Sequence, residues 1–232
     1  MYPYINKGSA KKLEGSIYVI TFFVSDNPWS IIEKMDLFKY VRDAESWLEV
    51  KANEYGKKLR FVNGVHGLFE PFMTDIVPDY ESGNPQWGIA EKYLETAGYP
   101  VDASYPEWIK KNSGCNQSLV FIIANMIGRG YANPSYWESD GPEGAILYHS
   151  ENWKLTAGSI IHEFLHLFGA VDLYETNVQS AENSERMELM YPKEVMHNPH
   201  HPLKELIISP LTAWLVGLCD KEETWFNTFL PK

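Results

Sequence analysis

His162, Glu163 and His166 stand in the order H-E-x-x-H. On a helix, positions i and i+4 share a face, so His162 and His166 can offer two imidazole nitrogens to one metal ion. Glu163 lies about 100° round the helix from His162, at the edge of that face. From there its carboxylate reaches a water on the metal without binding the metal itself. Fixed nitrogen donors, an adjacent carboxylate base and an open coordination position are what a zinc hydrolase requires. Ser159-Ile160-Ile161 precede the motif, and Phe164, Leu165, Leu167 and Phe168 surround it. A helix that is apolar almost all round is buried, and two histidines with a glutamate inside it are costly unless they have partners. Two solvated histidines on a surface helix, the ordinary alternative, fit poorly with such neighbours.

A catalytic zinc usually takes three protein ligands. Gly169 can end the helix in a left-handed conformation and turn the chain back. Asp172, three residues later, can then swing under the metal. Taken singly, Gly169 is an ordinary helix cap and Asp172 a turn residue; together, at this spacing after the two histidines, they are less common. A rival scheme draws a glutamate from a later helix, where Glu182, Glu185 and Glu188 lie. It leaves Gly169 and Asp172 unexplained, and a charged outer helix face accounts for those glutamates.

The elements that position these residues are read from periodicity. Ser16 to Val24 is β-branched and aromatic and predicts a buried strand, stopped at Asn27-Pro28-Trp29-Ser30. A helix follows from about Ser30 to Tyr55, with Ile31, Ile32, Met35, Phe38, Val41, Ala44, Trp47 and Leu48 at helical spacing and Gly56 as its cap. Leu59 to Val62 reads as a second strand. Asn84-Pro85-Gln86 introduces a helix over about Trp87 to Ala97. Ser118 to Ala124 is the strongest strand signal, and Gly144 to His149 is a shorter one. The motif helix spans about Thr156 to Phe168. Beyond it, 170–205 is loop-rich, with a helix near Gln179 to Met190. Ser209-Pro210 opens a last helix to about Leu218. The pattern is α+β: a mixed sheet flanked by helices, in one catalytic domain over 1–232, with an N-terminal lobe to about 170 and a smaller C-terminal lobe.

The 232 residues are 44% hydrophobic and 14% aromatic, enough for a substantial core. No apolar run reaches about 18 residues, so no membrane span is expected. A net charge of −11 argues against nucleic acid and anionic membranes as partners. Met1 to Lys7 lacks the basic-then-apolar layout of a secretory signal: either the protein is cytoplasmic or this is the mature form of an exported one. Cys115 and Cys219 form one disulfide or remain two thiols, and neither lies in a C-x-x-C pair.

From His162 to Asp172 the chain matches H-E-x-x-H-x-x-G-x-x-D and in this resembles the metzincin clan of zinc peptidases. That clan has a methionine in a tight turn beneath the zinc. Met196, in Glu194-Val195-Met196-His197-Asn198-Pro199, is similar in place, and Asn-Pro is a turn signal. Gly169-Ala170-Val171-Asp172-Leu173-Tyr174 also resembles secreted bacterial peptidases of this kind. The resemblance implies a twisted mixed sheet with two long helices, the second bearing the motif, and a smaller irregular C-terminal part ending in a helix. It departs from the clan in carrying Asp172 where a third histidine is commoner, and Asn198 where many members have a tyrosine. An oxyanion donor would come from elsewhere: Tyr174, Tyr191, His197, His200 and His201 are candidates, although Met196 to His201 also reads as a solvated loop.

The expected function is a zinc-dependent hydrolase that cleaves peptide bonds. One Zn2+ is held by His162, His166 and Asp172, and metal-activated water attacks the substrate with Glu163 as general base. The peptide would pair along an edge strand, placed by the resemblance at Gly144 to His149, with Tyr148 and His149 lining the cleft. Two alternatives stand beside it. One is a zinc hydrolase of a small amide or peptide. The other is a metal-stabilised binding module without turnover, which has no use for Glu163 and requires a fourth protein ligand.

Overall fold

The computed structural model describes residues 8–24, 29–76, 78, 88–135, 141–150 and 154–230. The turn expected at Asn27-Pro28 and the helix start expected at Asn84 to Trp87 lie outside the described residues.

The fold is α+β. Five strands, β1 (Gly15–Val24), β2 (Leu59–His66), β3 (Gln117–Asn125), β4 (Tyr131–Asn133) and β5 (Gly144–His149), form one sheet in the order β2-β1-β3-β5-β4. The first four neighbours in that order run parallel, and β4 is antiparallel to β5. Strand residues point alternately to the two faces, and here both faces are buried. Ile17, Val19, Phe23, Leu119, Phe121 and Ile123 face one apolar core. Ile20, Phe22, Val24, Val120 and Ile122 face the other. That is why β1 and β3 read as unbroken apolar runs.

Two helices, α1 (Ile31–Glu54) and α4 (Ala157–Leu167), cover the first face; α2 (Ile89–Thr96) and α3 (Tyr105–Ser113) cover the second. A reciprocal cap starts α1: the Glu33 N–H donates to Ser30 Oγ at 3.1 Å, and Ser30 N–H to Glu33 Oε2 at 2.9 Å. Its buried stripe is Leu37, Val41, Ala44, Leu48 and Ala52. The first turn overhangs this core, so Ile31, Ile32 and Met35, counted in the sequence as part of the apolar face, are exposed.

The first core continues past α4 into the C-terminal part, through Val195, Met196, Leu206, Leu211, Ala213, Val216, Phe226 and Phe229. That part holds α5 (Ala181–Met190) and the short α6 (Pro210–Leu215), which Gly217 (φ 78°) ends before the expected Leu218. The last described element is a 3-10 turn at Thr224–Thr228. Cys115 and Cys219 are both free thiols. Among the described residues no helix is long and apolar enough to cross a membrane.

One expectation is corrected. Gly144 to His149 is not the sheet edge: β4 pairs with its first half, Tyr131 opposite Ile146 and Asn133 opposite Gly144. The edge strand is β4, only three residues long and not expected from the sequence. Another unforeseen element is α3, which Pro106 starts within its first turn and Gly114 (φ 73°) caps.

Candidate metal centre

Thr156 caps α4 by accepting the Ser159 N–H at 3.1 Å. The helix is buried on nearly every side, and His162 and Glu163 are only 6% and 9% exposed. At its end Gly169 takes φ 95°, a torsion that L-residues avoid. The reversal brings the Ala170 carbonyl to His166, whose Nδ1 donates to it at 2.8 Å. The His162 Nδ1 donates to the Val195 carbonyl at 3.1 Å. A carbonyl only accepts, so each ring carries a proton on Nδ1, and each turns Nε2 towards the other.

The two Nε2 atoms are 3.2 Å apart. Asp172 Oδ1 lies 3.1 Å from each. His162, His166 and Asp172 are the candidate metal-binding group among the described residues. Donors of a tetrahedral zinc at about 2.0–2.1 Å stand roughly 3.3 Å from one another, so the observed triangle matches that ion in size. Its electrostatics match as well. Burial pulls His166 down, but the hydrogen bond and charge of Asp172 outweigh it and raise it to about 9. Burial likewise pushes Asp172 up, and hydrogen bonds from His162 and His166 reverse that and hold its carboxylate far below the usual range. The three donor atoms attract shared positive charge, and the carbonyls behind the rings are the outer support that metal-bound histidines normally have.

Glu163 stands beside this triangle. Burial raises its carboxyl above the ordinary carboxylate range. Its Oε2 is buried with no hydrogen-bond partner among the described residues. Such an atom costs free energy unless something else satisfies it. Glu163 lines a cleft of two adjoining cavities, each about 390 Å³, that share Arg129, Gly130, His162, Glu163 and Tyr174 as walls. One continues past Tyr148, Ser159, His197 and His200. The other runs along Tyr131 and Ala132 of edge strand β4, past His166 and Asp172.

The remaining sequence candidates divide. Tyr174 stacks on the His162 ring at 6.0 Å, and Tyr148 and His197 line the first cavity. His149 turns away: its Nδ1 accepts the Leu155 N–H at 3.2 Å and its ring packs near Trp29. Tyr191 stacks on Trp225 instead, with ring centroids 6.1 Å apart. Met196 is fully buried, in a turn closed where His197 N–H and Asn198 N–H both donate to the Glu194 carbonyl, at 3.1 and 2.9 Å.

Sequence reasoning missed four residues that shape this site. Arg129 projects from between two glycines, a pattern visible in the chain but without a period to interpret. Gly130 abuts the base: a Cβ there would stand 3.1 Å from Glu163 Oε1. Gly158 admits the 197–200 loop to the helix, since its Cβ would meet the Pro199 carbonyl oxygen at 2.0 Å. Glu194 is a fully buried carboxylate next to Val195.

No protein-family model matches this chain, and no curated protein matches it. Among solved structures it is similar to wild-type OgpA from Akkermansia muciniphila, with a TM-score of 0.42 and 9% identity over 97% of this chain and 63% of OgpA. The chain therefore spans less than two thirds of that protein's length.

Proposed function

We propose that this protein is a zinc-dependent peptidase of metzincin type, holding one Zn2+ through His162, His166 and Asp172. The observation that carries the reading is the pairing of Asp172 Oδ1, 3.1 Å from both imidazole nitrogens, with the unpartnered Glu163 Oε2 beside them. The two nitrogens and one carboxylate oxygen suit zinc, and three protein donors leave a coordination position free. When bound, the ion would supply a Lewis acid that polarises a carbonyl and acidifies water.

Glu163 takes the proton of the attacking water and returns it to the leaving nitrogen. Burial suits it to both tasks, because a carboxyl with a raised pKa holds a proton at neutral pH more readily than an exposed one. Tyr174, stacked on His162, and His197 across the cavity are the nearby side chains placed to donate to an oxyanion. Met196, next to Val195, is fully buried in the first core. An extended peptide lying beside β4 can add main-chain hydrogen bonds to that edge, which gives affinity with little sequence preference. The elongated, double cleft favours such a peptide over a small amide.

Metal analysis with peptide-library cleavage, on wild type and Glu163→Ala, tests the reading. We expect one equivalent of zinc in both proteins and cleavage by wild type alone. A protein without stoichiometric metal, or a Glu163→Ala variant that still cleaves, overturns it.

A further inference from the structure

The loop after β3 lies directly on the wall of the cleft. A Cβ at Gly128 would stand 2.5 Å from the Tyr148 ring, and one at Gly130 would stand 3.1 Å from Glu163 Oε1. Between them, Arg129 is the side chain that this stretch presents to the cavities, and it lines both. Among the described lining residues it is the only arginine or lysine, in a chain of net charge −11. Its guanidinium rests over the Tyr174 ring, 5.6 Å from the centroid, and Nη2 donates to the Tyr174 hydroxyl. Among the described residues it has no ion pair with a carboxylate. A guanidinium has five N–H donors in a planar fork suited to carboxylates. A neutral phenol engages one of them.

We propose that Arg129 is the specificity determinant of this cleft and selects substrates that carry a carboxylate next to the bond to be cut. Tyr174 holds the guanidinium in place until that carboxylate arrives. The binding half of this inference stands on Arg129 alone; the cleavage half rests on the peptidase reading above.

The test measures cleavage and binding separately. Labelled peptides differing at one position, with Glu, Gln or Lys flanking the centre and the C-terminus amidated, are compared with the Gln peptide bearing a free C-terminus. Binding is followed by fluorescence anisotropy and cleavage by chromatography, for wild type, Arg129→Gln and Arg129→Glu, with melting temperature and metal content showing that each variant is folded. We expect wild type to favour a carboxylate-bearing peptide at least about tenfold, as loss of a charge-assisted hydrogen bond implies. Arg129→Gln should abolish that preference and Arg129→Glu invert it towards Lys. Preference for the Glu peptide assigns a side-chain carboxylate; preference for the free end assigns a terminal one. Binding that is selective and Arg129-dependent without any cleavage keeps this inference and sinks the peptidase reading. Cleavage indifferent to the carboxylate sinks the inference and keeps the peptidase. Arg129 variants with wild-type selectivity overturn the inference outright.

Discussion

Glu163 and Glu194 are both buried carboxylates, 9% and 0% exposed, and burial raises the pKa of both. Their surroundings differ. Glu194 sits under the C-terminal part and accepts hydrogen bonds from the Ser209 N–H, from Thr212 Oγ1 at 2.8 Å and from the Met196 N–H at 3.4 Å. Both of its oxygens are used, and it ties the turn that presents Val195 to the start of α6. Glu163 lines a cavity wall and leaves its buried Oε2 unpartnered among the described residues. Equal burial thus serves opposite ends. A carboxylate satisfied by its own protein fixes a loop, whereas one left open beside a cluster of metal-type donors is held for something that comes from outside.

Exchange of each carboxylate tests that contrast. The largest effect is expected from Glu163→Gln: a fall in kcat of about 10²–10⁴-fold, with zinc content and melting temperature unchanged. Steady-state kinetics on peptide substrate check this, and a near-normal kcat would erase the difference between the two glutamates.

Glu194→Ala should do the reverse. It leaves the Ser209 N–H and the Thr212 hydroxyl buried without their acceptor, at a cost of about 2–4 kcal/mol in denaturant unfolding. Through Val195 it should also weaken zinc binding about tenfold, as loss of support behind a ligand does, while leaving kcat of the zinc-saturated enzyme within a few-fold of normal.

Gly158→Ala pushes a methyl group into the Pro199 carbonyl and displaces the loop that walls the first cavity. A stability loss of about 1–3 kcal/mol should accompany a raised KM with kcat largely kept.

The smallest effect concerns pH. Burial raises Glu194 from 4.5 to about 7. A carboxyl whose folded pKa lies above its unfolded value contributes stability that is complete below the unfolded pKa and is lost as pH rises through the folded one. Its contribution is therefore full below about pH 4.5 and fades as pH rises through about 7. Glu194→Gln should flatten the unfolding midpoint across that window. A residual slope is expected, because burial raises Glu45 to about 7 as well.

The same contrast explains what could be read from the chain. His162, Glu163 and His166 were legible because a helix converts spacing into direction. Asp172 was legible because a glycine that must turn precedes it. The strands β1 and β3 were legible because burial on both faces demands an uninterrupted apolar run. Glu194 was not, since a glutamate in a turn looks solvated until Ser209 and Thr212, far along the chain, close over it. β4 is three residues long, too short to show alternation, and without it β5 was taken for the edge. His149 and Tyr191 have the right chemistry, but their rings found Trp29 and Trp225, partners that spacing along the chain does not reveal.

The imidazoles of His162 and His166 are aimed by oxygens of the main chain, at Val195 and Ala170. No single substitution deletes a peptide carbonyl. The orientation of the rings is thereby shielded from much of the mutational drift that could reshape the cleft around them. Side chains that wall the cleft can change what the molecule accepts while the aim of those rings is inherited intact.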